Sequence, residues 1–386
     1  MISAVNIRKG GTLTILRECL SYLSGLAGGY KVVALVHDRS LCDFPGIEYI
    51  EMPDTVKSWG RRLWCEYVTM KRISSELAEK YGSKVYLWLS LHDTTPNVDA
   101  ERQAVYCQTS FPFLKWKLRD FRMDFKIPLF ALFTRYAYRV NVHRNDRLVV
   151  QAQWLRDGLG KMLGVNSGKF IVAPVKSKLD AEIVNVPSAG GPFTFLYPAS
   201  GDCHKNFETL CEAARLLEKE VGDDKFEVVL TLNGRENRYT RWLKKRWGNV
   251  RSVKWNGIMS RDELFGYYGT ADCLVFPSRI ETWGLPISEF MPTGKPMLVS
   301  DLAFGHETTA GAKAVGFFNP ESPKDLKDAM LKLIRGNRSS LHPVLSHPVS
   351  PSTGSTIAPS AASSVGSPVA PTVASSWDEI FSLLLR

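Results

Sequence analysis

The segment Glu281-Thr-Trp-Gly-Leu-Pro-Ile-Ser-Glu289 places two carboxylates eight positions apart across a Gly-Leu-Pro corner. The apolar run 272–276 before it indicates a strand, and the apolar periodicity after the corner indicates a helix. Open α/β sheets bind ligands where the C-terminal end of a strand leads into a helix. Backbone amides at such a point suit an anion, and carboxylates accept hydrogen bonds from hydroxyl groups. A nucleoside diphosphate sugar offers both kinds of group.

Strand and helix patterns alternate twice along the chain, first over 2–172 and then over 193–335. Strands separated by helical segments predict parallel sheets with helices on both faces. A stretch rich in Ser, Pro, Ala and Thr follows and predicts disorder, because it offers little apolar surface to bury. The expected divisions are an N-terminal domain, an interdomain linker, a C-terminal domain, the disordered stretch and a terminal helix: 1–175, 176–192, 193–336, 337–376 and 377–386.

Composition is that of a globular protein, with 386 residues of which 44% are hydrophobic. The seven cysteines are scattered and include no CxxC pair, which favours reduced thiols in a cytosolic compartment over disulfides or a zinc site. The sequence shows neither a signal-like apolar region near Met1 nor a run of about 18 apolar residues. We therefore expect a cytoplasmic location.

A basic and aromatic run lies between Lys115 and Arg147, where nine Lys or Arg residues stand against three Asp residues. Such a surface can lie on an anionic bilayer, and its charge would also attract nucleic acid. Alternatively, two amphipathic helices bury the aromatic side chains and expose the charges. The patch expected to meet a membrane or an acceptor consists of Lys115, Trp116, Lys117, Arg119, Arg122 and Lys126.

The segment 281–289 resembles the E-x7-E motif of retaining glycosyltransferases of family 4, the group 1 glycosyl transferases. The resemblance extends from Val253-Lys-Trp-Asn-Gly257 to Ser300-Asp301, in the family's order and spacing. It implies an α/β protein with the GT-B fold, in which two Rossmann-like parallel-sheet domains face a cleft. It also implies that a terminal helix often returns to the N-terminal domain.

The same resemblance implies which residues contact the donor. Glu281 would accept hydrogen bonds from the sugar hydroxyls, and Glu289 from the ribose hydroxyls. The amides around Trp283, Gly284 and Leu285 would face the sugar and its phosphate. Each charge-assisted hydrogen bond is worth roughly 1.5–3 kcal/mol, so both carboxylates should matter for binding.

The run from Tyr197 to Asn206 resembles the family's phosphate-binding segment and assigns the diphosphate to Lys205. The family usually has an Arg about five residues before this lysine, where the present chain has Ala199 and Ser200. Either Ser200 with the loop amides, or another basic residue, would have to replace that Arg.

Residues of the first domain complete the expected site. Gly10 and Gly11 follow a strand, and glycine lets a backbone approach a ligand closely. The resemblance assigns them to phosphate and acceptor contact. His92 follows the strand 84–89, where the family often has a histidine that contacts the transferred sugar. A loop histidine without that role is equally compatible with the pattern.

These features predict a retaining, metal-independent glycosyltransferase that needs no cofactor. Its partners would be a nucleotide-sugar donor, a glycan or lipid-linked acceptor and an anionic membrane surface on the inner face of the membrane, with no nucleic acid. It would act in polysaccharide or glycolipid assembly. Two alternatives stay open, a nucleotide-sugar epimerase of the same fold and a catalytically silent membrane-associated scaffold. Product formed without an acceptor would favour the epimerase, whereas Glu281, Glu289 and Lys205 argue against the scaffold.

Overall fold

The computed structural model describes residues 1–26, 28–175, 183, 190–345 and 372–386, which divide into two compact units. Unit 1 comprises 1–112, 132–174 and 372–386, and unit 2 comprises 113–131 together with the described residues from 175 to 345. Each unit is an α/β domain built on its own sheet.

Fourteen strands are described, numbered in chain order: β1 Ile2–Ala4, β2 Val32–Val36, β3 Ile47–Glu51, β4 Val85–Ser90, β5 Ala100–Cys107, β6 Arg147–Val150, β7 Phe170–Val172, β8 Phe193–Tyr197, β9 Phe226–Leu230, β10 Val253–Trp255, β11 Cys273–Phe276, β12 Met297–Ser300, β13 Val315–Phe318 and β14 Thr372–Val373. The sheet of unit 1 has the order β14-β7-β6-β5-β4-β1-β2-β3, and that of unit 2 has the order β10-β9-β8-β11-β12-β13. All of these strand pairings are parallel.

The α-helices of the described residues are α1 Gly10–Gly25, α2 Trp59–Trp64, α3 Met70–Tyr81, α4 Leu118–Met123, α5 Lys126–Ala137, α6 Gln153–Leu163, α7 Phe207–Val221, α8 Arg238–Trp247, α9 Arg261–Thr270, α10 Leu285–Phe290, α11 Ala303–Thr308, α12 Pro323–Ile334 and α13 Trp377–Leu384. In both sheets the strand order reverses direction next to the first strand, as in doubly wound Rossmann folds. The fold therefore confirms the prediction of two parallel-sheet α/β domains.

The sheet of unit 1 buries apolar residues on both faces, as expected for parallel strands. One face packs against α1 and α13, where Leu20 and Phe381 are buried. The other face packs against α3 through Met70 and Ile73. Full burial of a side chain of this size contributes about 1.5–3 kcal/mol to folding. The C-terminal helix is therefore part of unit 1, as the resemblance implied.

The structure differs from the sequence interpretation in its divisions. Residues 113–131 pack with unit 2, although the sequence interpretation placed them in the N-terminal domain. The stretch 337–376, which we expected to be disordered, has described residues at both ends. At one end, Val315 forms an antiparallel bridge with His342, and at the other, β14 pairs with β7. The remainder of that stretch and most of the expected linker lie outside the described residues.

None of the helices in the part of the chain that the structure describes is both long enough and apolar enough to cross a membrane.

Candidate functional site

The candidate donor site of unit 2 lies where its strand order reverses. β8 and β11 are adjacent parallel strands, with Cys273 opposite Phe195. After β8 the chain enters the 3₁₀ turn Cys203–Lys205, and after β11 it reaches Glu281. Because the C-terminal ends of parallel neighbours lie at the same edge of a sheet, the two segments meet there.

Asn206 holds the turn that carries Lys205. Its φ of 59° lies in the left-handed region, which Asn tolerates better than most residues. Its side-chain Nδ2 donates to Pro277 O at 2.9 Å and to Pro320 O at 2.8 Å. The Tyr197 hydroxyl donates to Lys205 O at 2.8 Å. These bonds fix the turn to the end of β11.

Lys205 and Glu281 form an ion pair, with 2.6 Å between Lys205 Nζ and Glu281 Oε1. Their side chains are 16% and 12% exposed, so water screens the pair only in part. The neighbouring His204 carries no charge at neutral pH. Burial, followed by the positive charges of Lys205 and Arg279, lowers its pKa well below the ordinary value. The positive charge of this turn therefore lies on Lys205, where Glu281 balances it.

Glu289 is buried on α10 and is oriented by two residues of α9. The hydroxyl of Tyr268 donates to Glu289 Oε2 at 2.9 Å. Arg261 Nη1 lies 3.9 Å from Glu289 Oε1. Burial, followed by the charge of Glu289, raises the pKa of Tyr268, so its hydroxyl remains a hydrogen-bond donor. A carboxylate held in this way can accept hydrogen bonds from a sugar or ribose.

The corner between Glu281 and Glu289 is a tight turn that leads directly into a helix. Gly284 has a φ of +93°, which side chains with a Cβ rarely adopt, and it directly precedes α10. Leu285 is the first residue of that helix. Trp283 is fixed through its indole, because Nε1 donates to Ser288 Oγ at 2.8 Å. The structure therefore puts the Trp283, Gly284 and Leu285 amides at the start of a helix.

The loop where the family usually has an Arg contains an acidic residue instead. The Ser200 hydroxyl donates to Asp202 Oδ2 at 2.7 Å. Ala199 exchanges hydrogen bonds of 3.0 Å with the Thr231 side chain through its N–H and C=O groups. Ser200 is exposed, and the carboxylate beside it offers no positive charge to a phosphate.

In unit 1, Gly10 and Gly11 are the first residues of α1. Gly10 has a φ of +70°, and a Cβ at this position would meet no atom within 4 Å. Its backbone conformation, rather than a shortage of space, therefore favours glycine. Thr12 Oγ1 donates to Lys9 O at 3.1 Å and helps to close this turn.

His92 is 1% exposed and lies just after β4 in a buried network. Its Nε2 lies 3.1 Å from Ser3 Oγ, and its Nδ1 lies 3.0 Å from Thr94 Oγ1 and 3.3 Å from Glu66 Oε1. Burial opposes ionisation of Glu66, but His92 and Arg62 outweigh it and lower the pKa of that carboxyl to about 2. Both ring nitrogens of His92 thus have partners inside unit 1.

Two residues of the expected membrane patch are engaged inside unit 2. Lys117 forms an ion pair with Glu321, and Arg119 forms one with Glu208. The guanidinium of Arg119 also lies over the ring of Trp242, 5.4 Å from its centroid. A charge neutralised in this way contributes little to attraction of an anionic surface.

The other four residues of that patch are exposed: Lys115, Trp116, Arg122 and Lys126. Large apolar side chains nearby are exposed too, since Leu118 is 82% and Phe125 is 58% accessible. Phe125 is therefore not part of a core, contrary to the alternative in which the aromatic side chains of this run are buried.

Sequence reasoning missed two side chains that organise the candidate donor site. Arg279 stands two residues before Glu281, and its guanidinium binds Asp120 of α4. Tyr268 lay within the run that resembles the family, but its hydrogen bond to Glu289 depends on how α9 packs against α10. Neither partner can be identified from spacing, because both contacts are tertiary.

Comparison with known proteins agrees with this geometry. Residues 180–343, less than half of the chain, match the family model described as "Glycosyl transferases group 1". The matched segment contains Lys205, Glu281 and Glu289. Most of unit 2 is therefore similar in sequence to the group 1 glycosyl transferases.

Two relatives with curated descriptions are similar to parts of the chain. The serotype-specific mannosyltransferase WbdA of Escherichia coli is 30% identical over 133 residues, which are 34% of this chain and 16% of WbdA. The O-antigen chain mannosyltransferase RfbU of Salmonella typhimurium is 25% identical over 203 residues, which are 52% of this chain and 54% of RfbU. The chain thus spans about a sixth of the first relative and about half of the second.

A solved structure supports the fold over most of the chain. Anabaena Alr3699/HepE, in complex with UDP and glucose, is similar with a TM-score of 0.56 and 10% sequence identity. The similarity covers 88% of this chain and 91% of that chain. The fold of this protein is GT-B.

Proposed function

We propose that this protein is a retaining glycosyltransferase that moves a sugar from a nucleotide-sugar donor to a hydroxyl group of a glycan or lipid-linked acceptor. The observation that carries the proposal is the Lys205–Glu281 pair at the reversal point of the second sheet, with Glu289 oriented on the following helix. The family match covers all three residues.

Each residue has a distinct task in the proposed reaction. Lys205 neutralises the diphosphate, since a cation about 4 Å away is worth roughly 4 kcal/mol at an effective dielectric of about 20. Glu281 accepts from the sugar hydroxyls, and Glu289 accepts from the ribose. The amides at Gly284 and Leu285 face the sugar and its phosphate.

In the proposed bond exchange, the acceptor oxygen bonds to the anomeric carbon on the face from which the diphosphate leaves. The bond from that carbon to the phosphate oxygen breaks, and the leaving diphosphate takes the acceptor's proton. This route retains the anomeric configuration and needs no separate general base. Stabilisation of the departing negative charge is then the main contribution of the protein, which is the role of Lys205.

For unit 1, we propose that Gly10 and Gly11 contact phosphate or acceptor through their backbone. His92 is proposed to act by holding the loop after β4, because both of its ring nitrogens already have partners. Peripheral association with an anionic membrane surface, on the cytoplasmic side, is proposed for the exposed residues Lys115 and Arg122.

Mannose is the first donor sugar to test, because both curated relatives are named mannosyltransferases, and the O-antigen relative favours a growing glycan as acceptor. UDP sugars follow, since HepE was solved with UDP and glucose. The test incubates the full chain with each nucleotide sugar, with and without a glycan or lipid-linked acceptor.

Release of nucleoside diphosphate that depends on the acceptor, with a new linkage of retained configuration by NMR, would support the proposal. A changed sugar formed without acceptor would identify an epimerase. Binding without any turnover, across the sugars and acceptors tested, would favour the silent scaffold.

A further inference from the structure

A buried ion pair joins α4 to the segment that leads into the candidate donor site. Arg279 Nη1 and Nη2 donate to the two carboxylate oxygens of Asp120, each at 2.9 Å. The side chains are 4% and 0% exposed. Bidentate pairs of this kind are geometrically specific and stronger than neutral hydrogen bonds. The pair connects residues 159 positions apart within unit 2.

Arg279 also holds the turn that carries Lys205. Its Nη2 donates to Cys203 O at 2.9 Å, and its backbone N–H donates to His204 O at 2.8 Å. Two residues later the chain reaches Glu281, which pairs with Lys205. One arginine therefore fixes the two segments whose side chains form the central ion pair of the site.

A second contact of α4 reaches the other side of the same turn. Arg119, next to Asp120, pairs with Glu208 in the first turn of α7. Glu208 lies three residues after Lys205, and it also accepts a hydrogen bond from the Tyr239 hydroxyl. α4 is thus linked to the chain both before Lys205, through Arg279, and after it, through Glu208.

We infer that Asp120 is a positioning residue for the donor diphosphate, acting through Arg279 on the placement of Lys205. This inference rests on the proposed function. Burying an ion pair is costly in desolvation and often adds no net stability relative to apolar residues of the same volume. Its specific geometry, rather than stability alone, accounts for a charged pair at this position.

The role of Asp120 predicts an effect confined to the terminal phosphate. Asp120→Asn keeps the shape of the side chain but removes the charge that orients Arg279. Lys205 then loses its fixed position, so binding of a nucleoside diphosphate weakens while binding of the monophosphate, which lacks that phosphate, does not. General loosening of unit 2 would instead weaken both ligands together.

The experiment measures the Kd of UDP and UMP, and of GDP and GMP, by calorimetry on the full chain, with thermal unfolding of each variant. The matched control is Asp124→Asn, which removes an aspartate of the same segment whose Oδ1 accepts from Lys126 N. We expect Asp120→Asn to raise the diphosphate Kd by about tenfold, leaving the monophosphate Kd unchanged. Asp124→Asn should change neither.

Asp120→Glu keeps the carboxylate and is used if the Asn variant does not fold. It displaces the carboxylate by one methylene, so we expect a smaller rise that is again confined to the diphosphate. Equal changes in both Kd values, or no change in either, would overturn the inference. If the unaltered protein binds none of these nucleotides and turns over no nucleotide sugar, the proposed function fails, and the inference falls with it.

Discussion

Lys205 and Glu281 stand 76 residues apart in the chain, yet their charged atoms lie 2.6 Å apart because β8 and β11 are neighbours. The family match spans both residues. A diphosphate would meet the ammonium group beside a carboxylate that can accept from hydroxyls. The pair thus supplies both a positive charge for a phosphate and an acceptor for hydroxyl groups.

Lys205→Met should reduce kcat by about a hundredfold or more, because the departing diphosphate loses the cation proposed to neutralise it. Lys219→Met, on the exposed side of α7, is the matched control and should retain full activity. Steady-state kinetics of nucleoside diphosphate release would measure the effect. Equal activity of the two variants would show that Lys205 has no role in the reaction.

Tyr268→Phe should raise the Kd of the nucleotide sugar by about fivefold, because Glu289 loses a hydrogen bond that orients it. Tyr267→Phe provides the control. The Tyr267 hydroxyl accepts from Asn256 Nδ2 at 2.8 Å and does not bond Glu289. Calorimetry would compare the variants, and an equal loss in both would mean that the effect is not specific to Glu289.

Glu66 should stabilise unit 1 in a manner that depends on pH. Its carboxyl pKa is about 2 in the folded protein and ordinarily about 4.5, so folding favours the ionised form. The contribution is therefore fully present above the ordinary pKa and declines as the pH falls from about 4.5 towards 2. Thermal unfolding of the unaltered protein and Glu66→Gln should differ most at pH 7.

The difference in Tm between those two proteins should shrink as the pH is lowered towards 3. A difference that stays constant, or grows, over this range would contradict the proposed coupling of Glu66 to His92 and Arg62.

Charge reversal of Lys115, Arg122 and Lys126 to Glu should reduce binding to vesicles that contain anionic lipid. Each basic residue near such a surface contributes about 1 kcal/mol, and salt should weaken the binding further. The control reverses Lys219, Lys324 and Lys332, which are exposed on α7 and α12 and change the net charge equally. Co-sedimentation with vesicles measures both, and equal losses would mean that only net charge matters.

Short-range sequence patterns predicted the turn between the two carboxylates and the two parallel sheets. The Gly-Leu-Pro corner predicted a tight connection into a helix, and the structure begins α10 at Leu285, directly after Gly284 with its φ of +93°. The alternating pattern predicted both parallel sheets. It did not show that residues 113–131 belong to unit 2, because that depends on the Asp120–Arg279 pair, which spans 159 positions.

Exposure was equally hard to predict for the basic run. Lys117 and Arg119 looked like free surface charges, but their partners Glu321 and Glu208 come from distant segments. His92 follows a strand, and tertiary packing brings Ser3 and Thr94 to its two ring nitrogens. Contacts between distant segments determine whether these side chains are exposed, and residue spacing in the sequence does not predict such contacts.

The most direct test of the donor site is calorimetric titration of the full chain and of Glu289→Gln with the nucleotide sugar that the unaltered protein turns over. Asp262→Asn, an exposed carboxylate on α9, serves as the control. We expect Glu289→Gln to weaken binding by about tenfold or more, and Asp262→Asn to leave it unchanged. Unchanged affinity in Glu289→Gln would contradict the assignment of unit 2 as the donor-binding unit through this motif.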